Sequence, residues 1–415
     1  MTEVQMETIV EPSNMRRAYR AVMRNRGAPG VDRLTTGELG AHIRTHWPNI
    51  RGKLCEGRYR PGRLRGVRIA KSHGGQRLLG IPTVPDRLIQ QAVQQRLTAL
   101  WDPTFSAHSY GYRPGRSAHD AIRAAQGYVL EGKSWVVDLD IEAFFDHVNH
   151  DLLMHKVAQT VRDKRVLRLI GDTLRADLEL DGQRHKRTAG TPQGGPLSPV
   201  LANLYLDALD RELESRGLSF CRYADDLTIY VTSERSAERI LASISAWIEK
   251  HLKLKVNVEK SGTGRPWKRN YLGYLVHEDG RLETSGKSIE RYKAQVRTLW
   301  DARQSLSSKA LVKQWRAYLR GWWNYFKLSS DGYFLLSSWS RRHMRKCFWQ
   351  RWHSKVGRRR KLQKLGVSAW LLGRVDYYAG AWRAARHPAM HSALGLKTLR
   401  RYGLWTPSDF ASAQR

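Results

Sequence analysis

The chain has 415 residues and carries 72 Lys and Arg against 38 Asp and Glu, which gives a formal net charge of +34. This excess is too large to serve solubility alone, and it predicts a polyanionic partner whose phosphates release counterions on binding. The sequence has no apolar run long enough to span a membrane, no signal-peptide core and no CxxC pair among its three cysteines, so we expect a cytoplasmic, reduced protein with no membrane partner and no zinc ribbon.

The first 130 residues predict basic helices followed by a cationic hairpin. Residues 1–60 have the basic helical and loop pattern of a surface segment. Two short runs, 65–71 and 76–81, flank a Gly-Gly turn and predict two paired strands that carry Lys71 and Arg77. Cations in this position suit the phosphates of a nucleotide, and the alternative is an ordinary charged surface hairpin.

A buried strand that ends in an acid is predicted at residues 134–140. Apolar residues alternate along it, and Asp138 and Asp140 fall on the same face. A carboxylate at the end of a buried strand is costly unless it is paired or bound to a metal ion. Asp140 is therefore a candidate metal ligand.

A helix that is preceded by a pair of glycines is predicted after residue 198. Leucines and a tyrosine at spacings of three and four residues predict a helix from Pro199 to Glu214. Gly194 and Gly195 precede it, and the absence of side chains there lets a backbone approach a bound nucleotide or template closely.

Two adjacent carboxylates, Asp225 and Asp226, separate two apolar runs within residues 218–231. The runs are rich in aromatic and β-branched residues, so they predict a hairpin with the acids at its tip. An ordinary Asp-Asp turn is the alternative. Together with Asp140, however, three carboxylates can hold two Mg²⁺ ions, or Mn²⁺ ions through the same ligands, for phosphoryl transfer.

The last third of the chain predicts helices with a basic surface. Apolar spacing indicates helices within residues 285–345, and most of the 15 Trp lie from Trp300 onward among many Lys and Arg. Aromatic rings and guanidinium groups suit RNA, because bases stack on them while cations contact phosphates. Core packing for most of the Trp, and a solvated face for Arg358, Arg359 and Arg360, are the alternatives.

Ordered motifs across residues 10–405 resemble those of bacterial group II intron-encoded reverse transcriptases that also act as maturases. The central matches are Tyr-Ala-Asp-Asp at 223–226 and Thr-Pro-Gln-Gly-Gly-Pro-Leu-Ser-Pro at 191–199. Further blocks follow in the same order: 80–82, 105–117, 257–261, 271–274 and the Gly-Trp-Trp-Asn-Tyr-Phe block at 321–326. The short segment after Trp405 resembles the endonuclease-lacking, class C type.

The resemblance implies an α+β fold of the right-hand polymerase type. We expect an N-terminal extension at 1–60, fingers and a palm with an antiparallel sheet at 61–284, and an α-helical thumb or maturase X domain at 285–345. A basic helical region that binds DNA or RNA would follow at 346–415.

The resemblance also implies roles for individual residues. The two metal ions would be held by Asp140, Asp225, Asp226 and the main-chain carbonyl of Ile141. The nucleotide-binding residues would be Lys71, Arg77, Ile141, Phe144, Gln193 and Lys260, with the Phe144 ring beneath the sugar unless it serves only the core. The nucleic-acid-binding residues would be Arg113, Gly194, Gly195, Tyr271, Leu272, Gly273, Arg358, Arg359 and Arg360.

The implied function is RNA-directed DNA synthesis together with maturase action and support of retrohoming. The partners would be group II intron RNA, an RNA template, a DNA primer or target and dNTPs, in a bacterial cytoplasm as a ribonucleoprotein near the nucleoid. Two alternatives remain at this point: an RNA-binding splicing factor with a vestigial polymerase site, and a free-standing reverse transcriptase used in repair or phage defence.

Overall fold

A computed structural model describes residues 3–70 and 76–413 of the chain. They divide into two compact units, Met1–Arg269 and Asn270–Arg415. Lys71, predicted to bind a nucleotide, lies outside the described residues, as does the Gly-Gly turn beside it.

The first unit is built around a four-stranded antiparallel sheet with strand order β6-β7-β3-β8. Its strands are β3 (Trp135–Leu139), β6 (Ser219–Tyr223), β7 (Asp226–Val231) and β8 (Gly262–Gly264). A second sheet, β2-β1-β4-β5, contains β1 (Leu64–Ala70), β2 (Gln76–Ile81), β4 (Leu178–Leu180) and β5 (Gln183–His185). The antiparallel pairing of β1 with β2 confirms the predicted hairpin in its described part.

Ten α-helices surround these sheets in the described part of the first unit. They are α1 (Met6–Ile9), α2 (Pro12–Asn25), α3 (Leu39–Cys55), α4 (Val84–Trp101), α5 (Ala118–Leu130), α6 (Phe144–His147), α7 (His150–Thr160), α8 (Lys164–Leu174), α9 (Ser198–Ser215) and α10 (Glu234–Trp247). Helices α5, α9 and α10 contact the β6-β7-β3-β8 sheet. The apolar faces of the helices and the sheet form one core, which holds the sheet in place.

Helix α9 confirms the helix predicted before the Asp pair. Leu201, Tyr205, Leu209 and Leu213 are buried at the predicted spacing. Pro199 occupies the first turn, where its missing N–H costs no hydrogen bond. The helix therefore begins where the sequence pattern places it.

The second unit is mainly helical. It contains a hairpin of β9 (Tyr274–Val276) and β10 (Leu282–Thr284), followed by α11 (Gly286–Leu299), α12 (Ser308–Phe326), α13 (Phe334–Arg351), α14 (Lys355–Lys364), α15 (Ala369–Gly373), α16 (Ala381–Ala384), α17 (Pro388–Ala393), α18 (Leu396–Arg401) and α19 (Pro407–Ala413). Trp300, Trp315 and Trp349 are almost fully buried in this unit, which confirms a core role for these Trp residues. Across residues 3–70 and 76–413, no helix is both long and apolar enough to cross a bilayer.

Candidate active site

The β6–β7 hairpin carries the Asp pair at its tip, as the sequence predicts. Tyr223 pairs with Asp226, so Ala224 and Asp225 form a two-residue turn. Ala224 has a φ of 59°, the left-handed conformation that short hairpin turns require. The two carboxylates therefore come from the turn and from the first residue of β7.

A buried ion pair holds this turn from behind. Arg222 and Asp210 have side-chain exposures of 1% and 0%, and two hydrogen bonds of 2.7 and 2.5 Å join the guanidinium to the carboxylate. The Arg222 guanidinium also donates to the Ala224 carbonyl at 2.9 Å and to the side chains of Asn203 and Ser109. Arg222 thus fixes the backbone that precedes the acids.

Asp140 reaches the same place from the end of β3. The register of β3 against β7 pairs Leu139 with Leu227, which places Asp140 next to Asp226. The Ser261 hydroxyl accepts a hydrogen bond from the Asp140 amide at 3.0 Å. The loop that contains Ser261 thereby fixes the backbone of the third acid.

The three acids lie close enough to repel one another. Desolvation, followed by the charges of Asp225, Asp138 and Asp140, raises the pKa of Asp226 to about 7, although Asp226 is exposed at the start of β7. Desolvation also raises the pKa of Asp225; the charge of Asp140 adds to the rise, while the charge of Arg77 opposes it. The neighbouring cations therefore do not fully offset the repulsion among the acids.

The chemistry of these donors fits a hard divalent cation, because Mg²⁺ and Mn²⁺ take carboxylate oxygens and would offset the repulsion. The side chains are not preassembled for it: in the two described ranges, no three His, Cys, Asp or Glu side chains are placed to hold a metal ion. Asp140 instead lies 3.5 Å from the Nζ atom of Lys260, whose side chain is 68% exposed. Since an exposed ion pair is worth little, moving Lys260 aside costs little free energy.

The structure describes two of the three cations predicted to bind a nucleotide. Arg77 is exposed on β2, and its positive charge acts to lower the pKa of Asp225. Lys260 lies beside Asp140, and Lys71 is outside the described residues. Of the three predicted nucleotide-binding cations, the two that the structure describes therefore lie near the acids.

The segment before α9 packs closely against β2. The Gln193 carbonyl accepts a hydrogen bond from the Gly80 amide at 3.0 Å. A Cβ atom on Gly194 would lie 3.2 Å from the Gly80 carbonyl oxygen, and one on Gly195 would lie 2.5 Å from Oε1 of Gln90. Gly194 also has a φ of 130°, which side chains rarely allow, so protein packing favours glycine there, whereas a side chain at Gly195 would have to displace the end of Gln90.

Phe144 and Ile141 are buried below the acids. Phe144 has an exposure of 2% and packs against Phe145 and Tyr205, with ring centroids 5.1 and 6.4 Å apart. This environment supports the core alternative for Phe144, and the contact with a nucleotide sugar stays a prediction. Ile141 has an exposure of 5% and forms a bridge with Val256.

Arg113 forms its hydrogen bonds inside the protein. It has an exposure of 9%, and its guanidinium donates to the Asp102 carboxylate at 2.7 Å and to the carbonyls of Asp102, Ser106 and Ser109. The structure gives no support to its predicted contact with nucleic acid.

The other predicted nucleic-acid contacts lie in the second unit. Tyr271, Leu272 and Gly273 form a tight turn with φ values of 49° at Leu272 and 86° at Gly273. On α14, Arg358 stacks on Trp349 with its guanidinium carbon 4.6 Å from the ring centroid. Arg359 and Arg360 are exposed.

Gly111 and Tyr112 are site residues that the sequence reasoning did not single out. A Cβ atom on Gly111 would lie 2.3 Å from the Ala224 amide nitrogen, so this glycine packs directly against the acid turn. Tyr112 follows with a φ of 59°, and desolvation together with the charge of Asp225 raises its pKa. The sequence feature that could have identified them is the Gly111-Tyr112 pair, which lies within the 105–117 block that resembles the family.

Residues 69–276, half of the chain, match the family described as reverse transcriptase (RNA-dependent DNA polymerase). The chain belongs to the reverse transcriptase family. Residues 289–366 of this reverse transcriptase match the group II intron, maturase-specific domain. It is therefore a group II intron-type reverse transcriptase and maturase with a right-hand polymerase fold.

Relatives of this reverse transcriptase include bacterial proteins. It is 31% identical to Protein YkfC of Escherichia coli over 62% of this chain and 78% of that protein. It is 39% identical to the group II intron-encoded protein LtrA of Lactococcus lactis over 41% of this chain, but the match spans 28% of LtrA. A partial Cas6-RT-Cas1–Cas2 complex contains a chain with 27% identity and a TM-score of 0.38 over 59% of this chain and 42% of that one.

Proposed function

We propose that this reverse transcriptase extends a DNA primer on an RNA template with dNTPs, using Mg²⁺ held by Asp140, Asp225 and Asp226. The observation that carries the proposal is the convergence of these three acids from β3 and the β6–β7 turn, with a pKa of about 7 at Asp226. Bound divalent ions would supply activation of the primer hydroxyl and stabilisation of the leaving oxygen. The Ile141 carbonyl is proposed as a further ligand.

The protein's own residues supply position and charge. The primer 3′-hydroxyl attacks the α-phosphate of the dNTP and pyrophosphate leaves, a reaction in which catalysis is mostly positioning and electrostatic stabilisation. Arg77, Lys71 and Lys260 are proposed to bind the triphosphate oxygens. Gln193, on the segment packed against β2, is proposed to contact the template or the nucleotide.

Primer extension on an RNA template with dNTPs and Mg²⁺ tests the polymerase proposal. We expect extension by the wild type and none by Asp225→Ala, because removing one carboxylate leaves the metal set incomplete. The matched control is Glu238→Ala, which removes an exposed acid on α10. Tight RNA binding without extension by the wild type would favour a splicing factor with a vestigial site.

The maturase part of the proposal is binding of the intron RNA so that the RNA folds into its splicing-competent form. A groove of about 1120 Å³ in the second unit supports it. Six cations line this groove among apolar and aromatic side chains: Lys309, Lys313, Arg316, Arg320, Lys361 and Lys364. Its described lining contains no Asp or Glu, so it suits a phosphate backbone.

A splicing assay separates the two activities. Because splicing chemistry would belong to the RNA, we expect Asp225→Ala to support splicing of the intron as the wild type does. Loss of splicing in this folded variant would contradict the proposed division. Intron RNA sequence flanking the gene is the observation expected for an intron-linked, retrohoming enzyme, and its absence would favour a free-standing role.

A further inference from the structure

A second cavity of the maturase-bearing unit has an aromatic and cationic lining. It has a volume of about 650 Å³ and lies among the C-terminal end of α11, α13 and α16. Trp339 and Trp382 face it together with His343, Arg297 and Lys346. We call it the Trp339–Trp382 pocket; its size falls within the range of about 300–1,000 Å³ that is typical of small-molecule sites.

The two indoles are held on either side of a buried imidazole. The His343 ring centroid lies 4.1 Å from that of Trp339 and 4.7 Å from that of Trp382, where the planes meet at 89°. Trp339 is half-buried, whereas Trp382 is 43% exposed. His343 therefore contacts both indoles, while the exposed part of Trp382 stays accessible to a ligand.

Cations accompany each indole. The Arg297 guanidinium carbon lies 5.4 Å from the Trp339 ring centroid, and the Lys346 Nζ atom lies 4.8 Å from that of Trp382. Among the lining residues that the structure describes, the one carboxylate, that of Asp301, is paired with Arg303 at 2.7 Å. The pocket thus combines stacking surfaces with an excess of positive charge.

This combination matches the chemistry of a nucleotide more closely than that of an apolar ligand. Bases stack on aromatic rings whatever their identity, and cations next to the rings meet the flanking phosphates. Gln350, also in the lining, has an amide that can both donate to and accept from a base edge. Burial and the neighbouring cations lower the pKa of His343 to about 4, so its imidazole is neutral and adds no further charge.

We propose that the Trp339–Trp382 pocket captures one unpaired nucleotide of a nucleic-acid strand, with the base against the indoles and its flanking phosphates near Arg297 and Lys346. The proposal rests on the proposed function only in that the chain binds nucleic acid. RNA and DNA strands share this chemistry, and the test below distinguishes them. A bulged or single-stranded residue is required, because a paired base cannot reach an indole face.

The test compares a perfectly paired RNA hairpin with the same hairpin carrying one bulged 2-aminopurine. We expect the wild type to bind the bulged hairpin more tightly and to quench the 2-aminopurine fluorescence. Stacking on an aromatic side chain is worth about 1–3 kcal/mol per base, which corresponds to about 5- to 150-fold in affinity. Trp382→Leu should lose this preference, and Trp382→Phe should restore most of it.

Matched controls separate the pocket from general binding and from folding. Trp370→Leu removes another exposed indole, which is 63% exposed and stacked with Arg374, and it should keep the preference for the bulge. All three variants should retain wild-type primer extension, so failure of the pocket is distinguishable from failure of the polymerase site. Thermal melting checks that Trp382→Leu is folded.

The opposite results would overturn the proposal. A bulge preference and quenching that persist in folded Trp382→Leu would exclude the pocket, and so would an equal loss in Trp370→Leu. An acidic peptide that displaces no RNA but binds with the same dependence on Trp382 would assign the pocket to a protein partner instead. Repeating the bulge comparison with a DNA hairpin distinguishes the strand: a preference seen with RNA alone indicates an RNA strand, whereas an equal preference in DNA indicates that the pocket recognises the stacked base and not the 2′-hydroxyl.

Discussion

Among individual residues, Arg222 is as important to the active site as the acids themselves. Its guanidinium joins Asp210, the Ala224 carbonyl and two side chains in a buried network. A network of this kind fixes the turn that carries Asp225 because each partner satisfies another buried polar group. Losing one member leaves an uncompensated buried charge.

The stability of the first unit should therefore depend on Asp210. We expect Asp210→Ala to lower the free energy of unfolding by about 3–5 kcal/mol, the usual cost of breaking a buried ion pair. Glu212→Ala, which breaks the more exposed pair with Arg216 on the same helix, should cost about 0–1 kcal/mol. Urea denaturation measures both, and equal losses would contradict the special role of the buried pair.

The acid cluster should make stability depend on pH when no divalent metal is present. The folded-state pKa of Asp226, about 7, lies above the ordinary value near 3.9, so the folded chain binds more protons between these values. Stability contributed by this group is thus lost as the pH rises towards 7 and beyond. In EDTA, we expect Asp226→Asn to melt above the wild type at about pH 8 and to lose this advantage at about pH 5.

Binding of a divalent metal ion should offset the stability that the wild type loses at high pH. Adding Mg²⁺ at about pH 8 is expected to raise the melting temperature of the wild type more than that of Asp226→Asn, since a bound cation offsets the repulsion. Equal shifts in the two proteins would indicate that Mg²⁺ acts elsewhere.

At the element scale, local patterns predicted most of the active-site framework. The β6–β7 hairpin, β3 and α9 follow from alternation, turn residues and helical spacing near the motifs themselves. The roles of Arg222 and Arg113 were not predictable in this way, because their partners lie on other elements. The ion pair that Asp140 forms with Lys260 was not predictable either, because no sequence pattern specifies it.

The packing of the segment at Gly111 against the hairpin gives a test at this scale. We expect Gly111→Ala to lower primer extension by about 100-fold, because a Cβ atom 2.3 Å from the Ala224 amide must displace the turn and misplace the acids. Gly127→Ala on α5, where a Cβ atom meets nothing within 4 Å, is the matched control and should extend normally. Wild-type activity in Gly111→Ala would mean that the turn can shift without consequence.

At the scale of the whole molecule, charge and domain organisation point to nucleic acid together. Most of the excess positive charge follows Arg269, in the unit that contains the maturase-specific match. Composition predicted the class of partner, whereas the assignment of particular Trp residues to the core or the surface required the fold. Trp315 is fully buried and Trp370 is exposed, although both lie among Lys and Arg in the sequence.

RNA affinity should accordingly fall steeply with salt. Each phosphate contact contributes a slope of about −0.7 to −0.9 to the logarithm of the affinity against the logarithm of salt concentration. Replacing Lys309, Lys313 and Lys361 in the 1120 Å³ groove by Gln should flatten this slope, whereas replacing Arg235 and Arg239 on α10 by Gln should leave it nearly unchanged. Filter binding across a salt series measures it, and a flat response of the wild type would contradict the electrostatic account.

Single-turnover incorporation of one dNTP into a bound primer–template tests whether acids from two separate elements form one catalytic site. We expect Asp140→Asn, Asp225→Asn and the double variant to fall to the same floor, because residues that act as a unit give non-additive losses. Glu238→Gln should incorporate at the wild-type rate. Near-normal incorporation by Asp140→Asn, with Asp225→Asn inactive, would show that the acid on β3 does not belong to the site.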